Sequence, residues 1–172
     1  MSKILEKVIL KQITTHIDTH ILPPTQSGFR AGHSTNTALL RIVNDITKAM
    51  DRSKVTFLIL LDFSKAFDTI DHKLLIAKLS YYGMSQEVIK WFLSYLSNRT
   101  QCVKLHQQFS QEMEITKGVP QGSILGPLLF TLFTANLHDI LGDQCCVHQY
   151  ADDTQLYPVS YTHLRAHETD SY

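Results

Sequence analysis

The sequence carries no surplus of either charge. Sixteen lysines and arginines are matched by sixteen aspartates and glutamates over 172 residues, with nine histidines besides. That balance argues against a free-standing nucleic-acid binder, which usually shows a basic excess. It does not exclude an acidic centre flanked by basic surface, because net charge says nothing about distribution. Cysteine is scarce: Cys102, Cys145 and Cys146 form no disulfide framework, and no Cys-x-x-Cys spacing offers a structural zinc site. No disulfide partner is expected, and a reducing, intracellular setting fits best. Long apolar runs are missing too. Val55 to Leu61 falls far short of the roughly 20 residues a membrane helix needs, and Lys3, Glu6, Lys7 and Lys11 interrupt any N-terminal leader pattern. The expectation is a soluble chain with no membrane partner. There is no internal repeat, no low-complexity stretch and no Asp-x-Asp-x-Asp-Gly loop for calcium.

What is present suits one packed domain: 44% hydrophobic and 19% charged residues. Ile4, Leu5, Val8, Ile9, Ile13, Ile17 and Ile21 recur at helical spacing before Pro23-Pro24. A loop over 23–33 follows. Ser34 or Thr35 then caps a second helix, with Ala38, Leu39, Ile42, Val43, Ile46, Ala49 and Met50 facing inward. Residues 55–61 read as one strand buried on both faces. Asp71 caps a helix that Gly83 stops, and Ser85 opens another. Residues 100–106 and 109–116 predict a strand pair. A glycine-rich bend over 117–122 leads into a helix over 123–141, and strands over 145–150 and 154–158 flank Ala151-Asp152-Asp153. This order predicts an α+β fold, helices packed on one face of an antiparallel sheet.

The chemistry lies in the acids. Asp62 ends the apolar strand, and Asp152-Asp153 sits where two strands meet. Clustered carboxylates repel one another unless a cation neutralises them. Such oxygen-rich clusters suit magnesium, and two ions about 3.5–4 Å apart can serve phosphoryl transfer. Taken singly, each acid is also ordinary turn or cap chemistry.

Whole motifs in order separate the two readings. Leu61-Asp62-Phe63-Ser64-Lys65-Ala66-Phe67-Asp68, Gly118-Val119-Pro120-Gln121-Gly122-Ser123-Ile124-Leu125-Gly126-Pro127 and Tyr150-Ala151-Asp152-Asp153 resemble three catalytic motifs of LINE-type (non-LTR retrotransposon) reverse transcriptases. Gln26-Ser27-Gly28-Phe29-Arg30, followed by Ser34-Thr35, is similar to their fingers-to-palm segment, and Trp91 to Arg99 shares their pattern. The likeness covers about residues 2–157. It implies a polymerase palm with part of the fingers, acting as an RNA-directed DNA polymerase with RNA template, DNA primer and dNTP as partners. The cofactor it implies is Mg2+, two ions, with Mn2+ as the alternative. Asp62, Asp152 and Asp153 would be the catalytic, metal-binding acids, joined by the Phe63 backbone carbonyl. Phe67 would be a steric gate against the ribose 2′-hydroxyl, or else a core aromatic. Gln121 and Gly122 would face the nucleotide. Arg30 would touch template or triphosphate, or else be a surface arginine. Asp68 and Asp71 read as helix-start residues, and His72 as part of a solvated first turn. The parent element would work in cytoplasm and nucleus.

The sequence also departs from the family. An upstream fingers arginine and a downstream thumb are absent, and Val159 to Tyr172 resembles translated adapter read-through. The expected division is partial fingers over 1–54, palm over 55–158 and a non-native or disordered tail over 159–172, with little polymerase activity from this stretch alone. A non-catalytic remnant of a decayed element, a palm-type RNA-templated RNA polymerase and a nucleotidyl cyclase are the alternatives.

Overall fold

The computed structural model describes residues 2–141, 145–157 and 159–160. Of the tail expected over 159–172, residues 161–172 therefore lie outside the described residues.

Local signals set most helices. Helix α1 runs Ser2–His20 and stops before the Pro23-Pro24 pair. Helix α2, Thr35–Asp51, is capped by Ser34, whose side chain accepts from the Thr37 amide while Thr37 reciprocates. Helix α3, His72–Tyr81, is capped by Asp71, and Gly83 follows at φ 76°. Helix α4, Gln86–Leu96, is capped by Ser85. The long helix predicted over 123–141 is instead two pieces, α5 (Gly126–Thr134) and α6 (Leu137–Leu141). Pro127 sits in the first turn of α5, where its missing N–H costs nothing. At the far end the Lys78 ammonium donates to the Phe133 carbonyl and, at 2.6 Å, to Asn136 Oδ1. A side chain thus occupies an acceptor that continued helix would have used.

The predicted strand over 55–61 is also two pieces, β1 (Val55–Thr56) and β2 (Ile59–Leu61). Strands β7 (Cys146–Tyr150) and β8 (Asp153–Tyr157) form a hairpin, and β9 covers Val159–Ser160. One antiparallel sheet has the order β2-β8-β7, while β1 pairs with β9. The break falls where the partner of the strand changes from β9 to β8. The β1–β9 pairing also crosses the boundary expected at residue 159. The strand pair predicted after Arg99 is a nested hairpin. β3 (Thr100–Gln101) pairs with β6 (Met113–Glu114), and β4 (Lys104–Leu105) with β5 (Gln108–Phe109). At the interruption Ser110 N donates to the Val103 carbonyl and its Oγ accepts from Val103 N.

Burial corrects the sequence reading most. β2 is not buried on both faces: Leu60 is 70% exposed, and the helices that pack on the sheet lie against β7. The doubly covered strand is β7, where Val147, His148 and Gln149 are all buried and α2 and α6 pack alongside. The helix stripes are narrower than their periodicity suggested. Ile4, Leu5, Val8, Leu39, Val43 and Met50 are exposed, whereas Ile17, Ala38, Ile42 and Ala49 are buried.

The core lies chiefly among the helices. Leu75 and Leu79 of α3, Phe92 of α4 and Leu129 and Leu132 of α5 are fully enclosed, with Ile17 of α1 joining them. Each such side chain contributes about 1.5–3 kcal/mol of burial free energy. This helical block is the platform against which the bend over 117–122 and the segment after Asp62 are set.

Candidate active site

The three acids are placed by backbone register at one end of the three-stranded sheet. Leu61 pairs with Thr154, so the register places Asp62 next in line to Asp153. Asp153 is the first residue of β8 and pairs with Tyr150, which leaves Ala151 and Asp152 as the two-residue turn. Ala151 takes φ 58°, the conformation a tight hairpin of this kind requires at its first turn position. Neighbouring strands run about 4.8 Å apart, so side chains at the ends of β2 and β8 are neighbours.

A cavity of about 530 Å³ opens beside the turn. Asp152 lines it together with Phe63 and Phe67 from the segment after β2, and with Gln121 and Gly122 from the bend. Phe67 meets Phe130 at 5.0 Å between ring centroids and Phe29 at 6.4 Å, so it is both a core-packed ring and a cavity wall. The two readings of Phe67 are therefore compatible.

The bend is laced to the segment after β2. Gly118 N donates to the Ile70 carbonyl at 2.7 Å and Val119 N to that of Phe67 at 2.9 Å. A Cβ on Gly118 would lie 2.7 Å from the Asp68 carbonyl oxygen, and Gly118 has φ 81°, so only glycine fits. Asp68 is not a helix-start residue: its carboxylate accepts from Gln121 Nε2 at 3.2 and 3.4 Å. Asp71 is the cap, and the Leu74 amide donating to it holds its carboxyl below the usual carboxylate range. His72 is more than a solvated first-turn residue, because its Nε2 lies 2.6 Å from the Gly118 carbonyl oxygen.

Arg30 does not line the cavity. Its guanidinium donates to the carbonyls of Asp18, at 2.9 Å, and Pro23, at 3.1 Å, and its Nε lies 3.5 Å from Asp18 Oδ1. It fastens the loop over 23–33 to the end of α1.

Two further residues were not singled out from sequence. Glu6 is 5% exposed, and its Oε2 accepts from Ile124 N at 2.7 Å and Leu125 N at 3.3 Å, immediately after the bend. The available signal was its position: Glu6 falls on the stripe that continues through Leu10, Ile13 and Ile17. His148 is fully buried in β7, and burial pushes its imidazole below the ordinary value. No local signal marks it.

The donor chemistry fits a hard divalent cation, since carboxylates and a backbone carbonyl supply only oxygen. Among the described residues no three of His, Cys, Asp or Glu gather closely enough to enclose an ion by themselves. The set is open, as for magnesium that completes its shell with phosphate and water.

Comparison with known proteins bears on the family and the fold. The chain matches the family described as Reverse transcriptase (RNA-dependent DNA polymerase) over residues 1–170, past the point where the sequence likeness was placed. It is 35% identical over 169 residues to "Probable RNA-directed DNA polymerase from transposon BS" of Drosophila melanogaster, covering 91% of this chain and 18% of that protein. It is 33% identical to the RNA-directed DNA polymerase from mobile element jockey of the same species, covering 96% and 19%. The chain thus spans less than a fifth of the length of these relatives. Among solved structures, apo telomerase from Candida tropicalis, truncated from its C-terminal domain, superposes with a TM-score of 0.67 at 15% identity, over 93% of this chain and 35% of that one. That likeness shows the α+β fold of a polymerase palm and fingers. The chain belongs to the reverse transcriptase family, on its LINE-type, non-LTR retrotransposon branch.

Proposed function

We propose that this chain is the palm and part of the fingers of an RNA-directed DNA polymerase, which extends a primer 3′-hydroxyl with deoxynucleoside triphosphates on an RNA template. One observation carries the reading. Asp152, Phe67 and Gln121 come from three separate stretches of sequence and line a single cavity beside the end of β2.

Within that cavity each residue has a task its position supports. The Phe67 ring, braced by Phe130, forms a wall that a ribose 2′-hydroxyl would strike and a deoxyribose would clear. Gln121, oriented by Asp68, presents an amide at the mouth where base and template meet. Gly122, at φ 74° with nothing within 4 Å of its would-be Cβ, keeps the backbone open to close approach. In this reading the cation donors are Asp152 and the Phe63 carbonyl at the cavity, joined by Asp62 and Asp153 beside it at the strand ends.

Reverse transcriptases generally use divalent metal ions. We assign two Mg2+, with Mn2+ as a substitute, to these oxygens; when bound they lower the charge barrier between primer hydroxyl and α-phosphate. Such chemistry tolerates only about half an ångström of displacement, and strand ends joined by a two-residue turn are backbone rigid enough to supply donors of that kind. The parent protein would act in cytoplasm and nucleus, on the element's own RNA.

Primer extension on an RNA template with magnesium tests the reading. A polymerase carrying this segment within its full length should extend the primer, and Asp152→Asn should abolish extension. The 172-residue chain alone should extend poorly. Full activity of the Asp152→Asn enzyme would refute the assignment, and robust synthesis by the short chain would refute the need for a thumb.

A further inference from the structure

Behind the Ala151-Asp152 turn lies a second layer built from the fingers-to-palm segment. Gln26 bridges Gln149 in parallel fashion; Ser27 N donates to the Gln149 carbonyl at 2.8 Å, and Gln149 N to that of Thr25 at 3.0 Å. The segment is thus an added rung on the free side of β7. It presses on the turn itself: a Cβ on Gly28 would lie 1.9 Å from Ala151 N and 2.6 Å from its Cα. Any side chain there would have to push the turn away.

A side-chain relay reinforces the contact. His33 Nδ1 lies 3.2 Å from Ser27 Oγ, Ser27 Oγ 3.2 Å from His148 Nε2, and His148 Nδ1 3.2 Å from Gln155 Oε1. Gln155 lies in β8, paired with His148 on one side and Leu60 on the other. Because Gln155 Oε1 only accepts, His148 Nδ1 carries the proton, and Nε2 of the neutral ring accepts from the Ser27 hydroxyl. Ser27 in turn accepts from His33. Every link has its direction, and Ser27 and His148 are buried, so breaking one link leaves a buried polar atom unpaired.

We propose that Ser27 and His148 are positioning residues for Asp152, holding the hairpin turn at the angle that presents its carboxylate to a divalent cation. The proposal rests on the reading of Asp152 as a metal-binding acid. It assigns the Ser27-Gly28 step a role in the catalytic geometry rather than in nucleotide contact. The relay also gives the segment a reason to carry a hydroxyl at a buried position where alanine would pack equally well.

The test uses the 172-residue chain and Mn2+ alone, read by paramagnetic broadening of the Ala151 and Asp152 amide signals. Ser27→Ala should weaken Mn2+ binding about tenfold, the usual scale for losing a support behind a metal ligand, and Ser27→Thr should restore most of it. His33→Ala, at an exposed position, should weaken binding in the same sense by a smaller factor, and it decides the matter if Ser27→Ala does not fold. Ser27→Ala or, in that case, His33→Ala with parental Mn2+ affinity overturns the proposal. Asp152→Asn separates the two layers of argument. If it leaves the broadening unchanged, the metal reading of Asp152 fails and this proposal with it. If it abolishes broadening while the serine and histidine variants do not, only the positioning role fails.

Discussion

Gln121 Nε2 lies 3.2 Å from Asp68 Oδ1 and 3.4 Å from Oδ2, so the amide of the glycine-rich bend is held by the carboxylate that directly follows Phe67. Both residues line the cavity and both are exposed. Removing Asp68 should therefore cost little stability but leave Gln121 unoriented. Asp68→Ala is expected to change unfolding free energy by less than about 0.5 kcal/mol. In the full polymerase it should raise the KM for dNTP about fivefold, the equivalent of one ordinary hydrogen bond of about 1 kcal/mol. An unchanged KM would show that the contact does not serve the nucleotide.

Phe67 combines a packing role with a wall role, and the two separate by assay. Phe67→Ala should cost about 2 kcal/mol in denaturant unfolding, less than a fully buried ring, because Phe67 is only partly covered. The same variant in the full enzyme should incorporate ribonucleotides. Loss of stability with unchanged sugar selectivity would leave Phe67 as a core aromatic alone.

Glu6 is the tie between the first helix and the start of α5. Its Oε2 satisfies two backbone amides, those of Ile124 and Leu125, that would otherwise be short of partners. Glu6→Ala should lower unfolding free energy by about 2–3 kcal/mol, the scale of hydrogen bonds to a charged group. Glu6→Gln, which keeps an acceptor oxygen, should cost less than half of that. Equal urea midpoints for the alanine variant and the parent would remove the tie from the account.

Alkaline stability has a definite sign at Tyr82. Burial pushes its phenol up to about 12, with the Asp139 carboxylate adding to the effect. Unfolded, the group titrates near 10, so between about pH 10 and 12 the folded state holds more protons than the unfolded one. Stability is then lost as pH rises through that window. Tyr157 moves in the same direction, through burial and its hydrogen bond to Asp45. Lys78, lowered by burial, opposes them: its folded form releases its proton first, so its contribution rises with pH. Tyr82→Phe should flatten the fall in thermal midpoint above pH 10, and an unchanged slope there would assign the fall to other groups.

Much of the local structure was legible in the sequence because its causes are local. Ser34, Asp71 and Ser85 cap the helices they precede, and Gly83 ends α3 in the left-handed conformation that favours glycine. The hairpin around Ala151-Asp152 was read to within one residue, Asp153 proving to be the start of β8 and not part of the turn. Burial of the strand over 55–61 is not legible in the same way, for a plain reason. An apolar run shows that side chains prefer cover, but helix placement decides which ones receive it, and α2 and α6 pack on β7 rather than on β2. Arg30 and Asp68 show the same limit, since a charged side chain on a loop reveals its partner only once the chain has folded back.

By itself the sequence determined which residues carry oxygen donors, where helices begin and end, and the ordered motifs that mark the family. Those properties are written in short stretches, where capping, backbone sterics and side-chain chemistry act within a few residues. Only the tertiary structure decided that Asp62 is next in line to Asp153 and that Gln121 is held by Asp68, 53 residues away in the chain. It alone showed that Glu6 reaches Ile124 across 118 residues, and Ser27 reaches His148 across 121. Such contacts depend on strand register and on which faces the core leaves covered, and no local pattern encodes either.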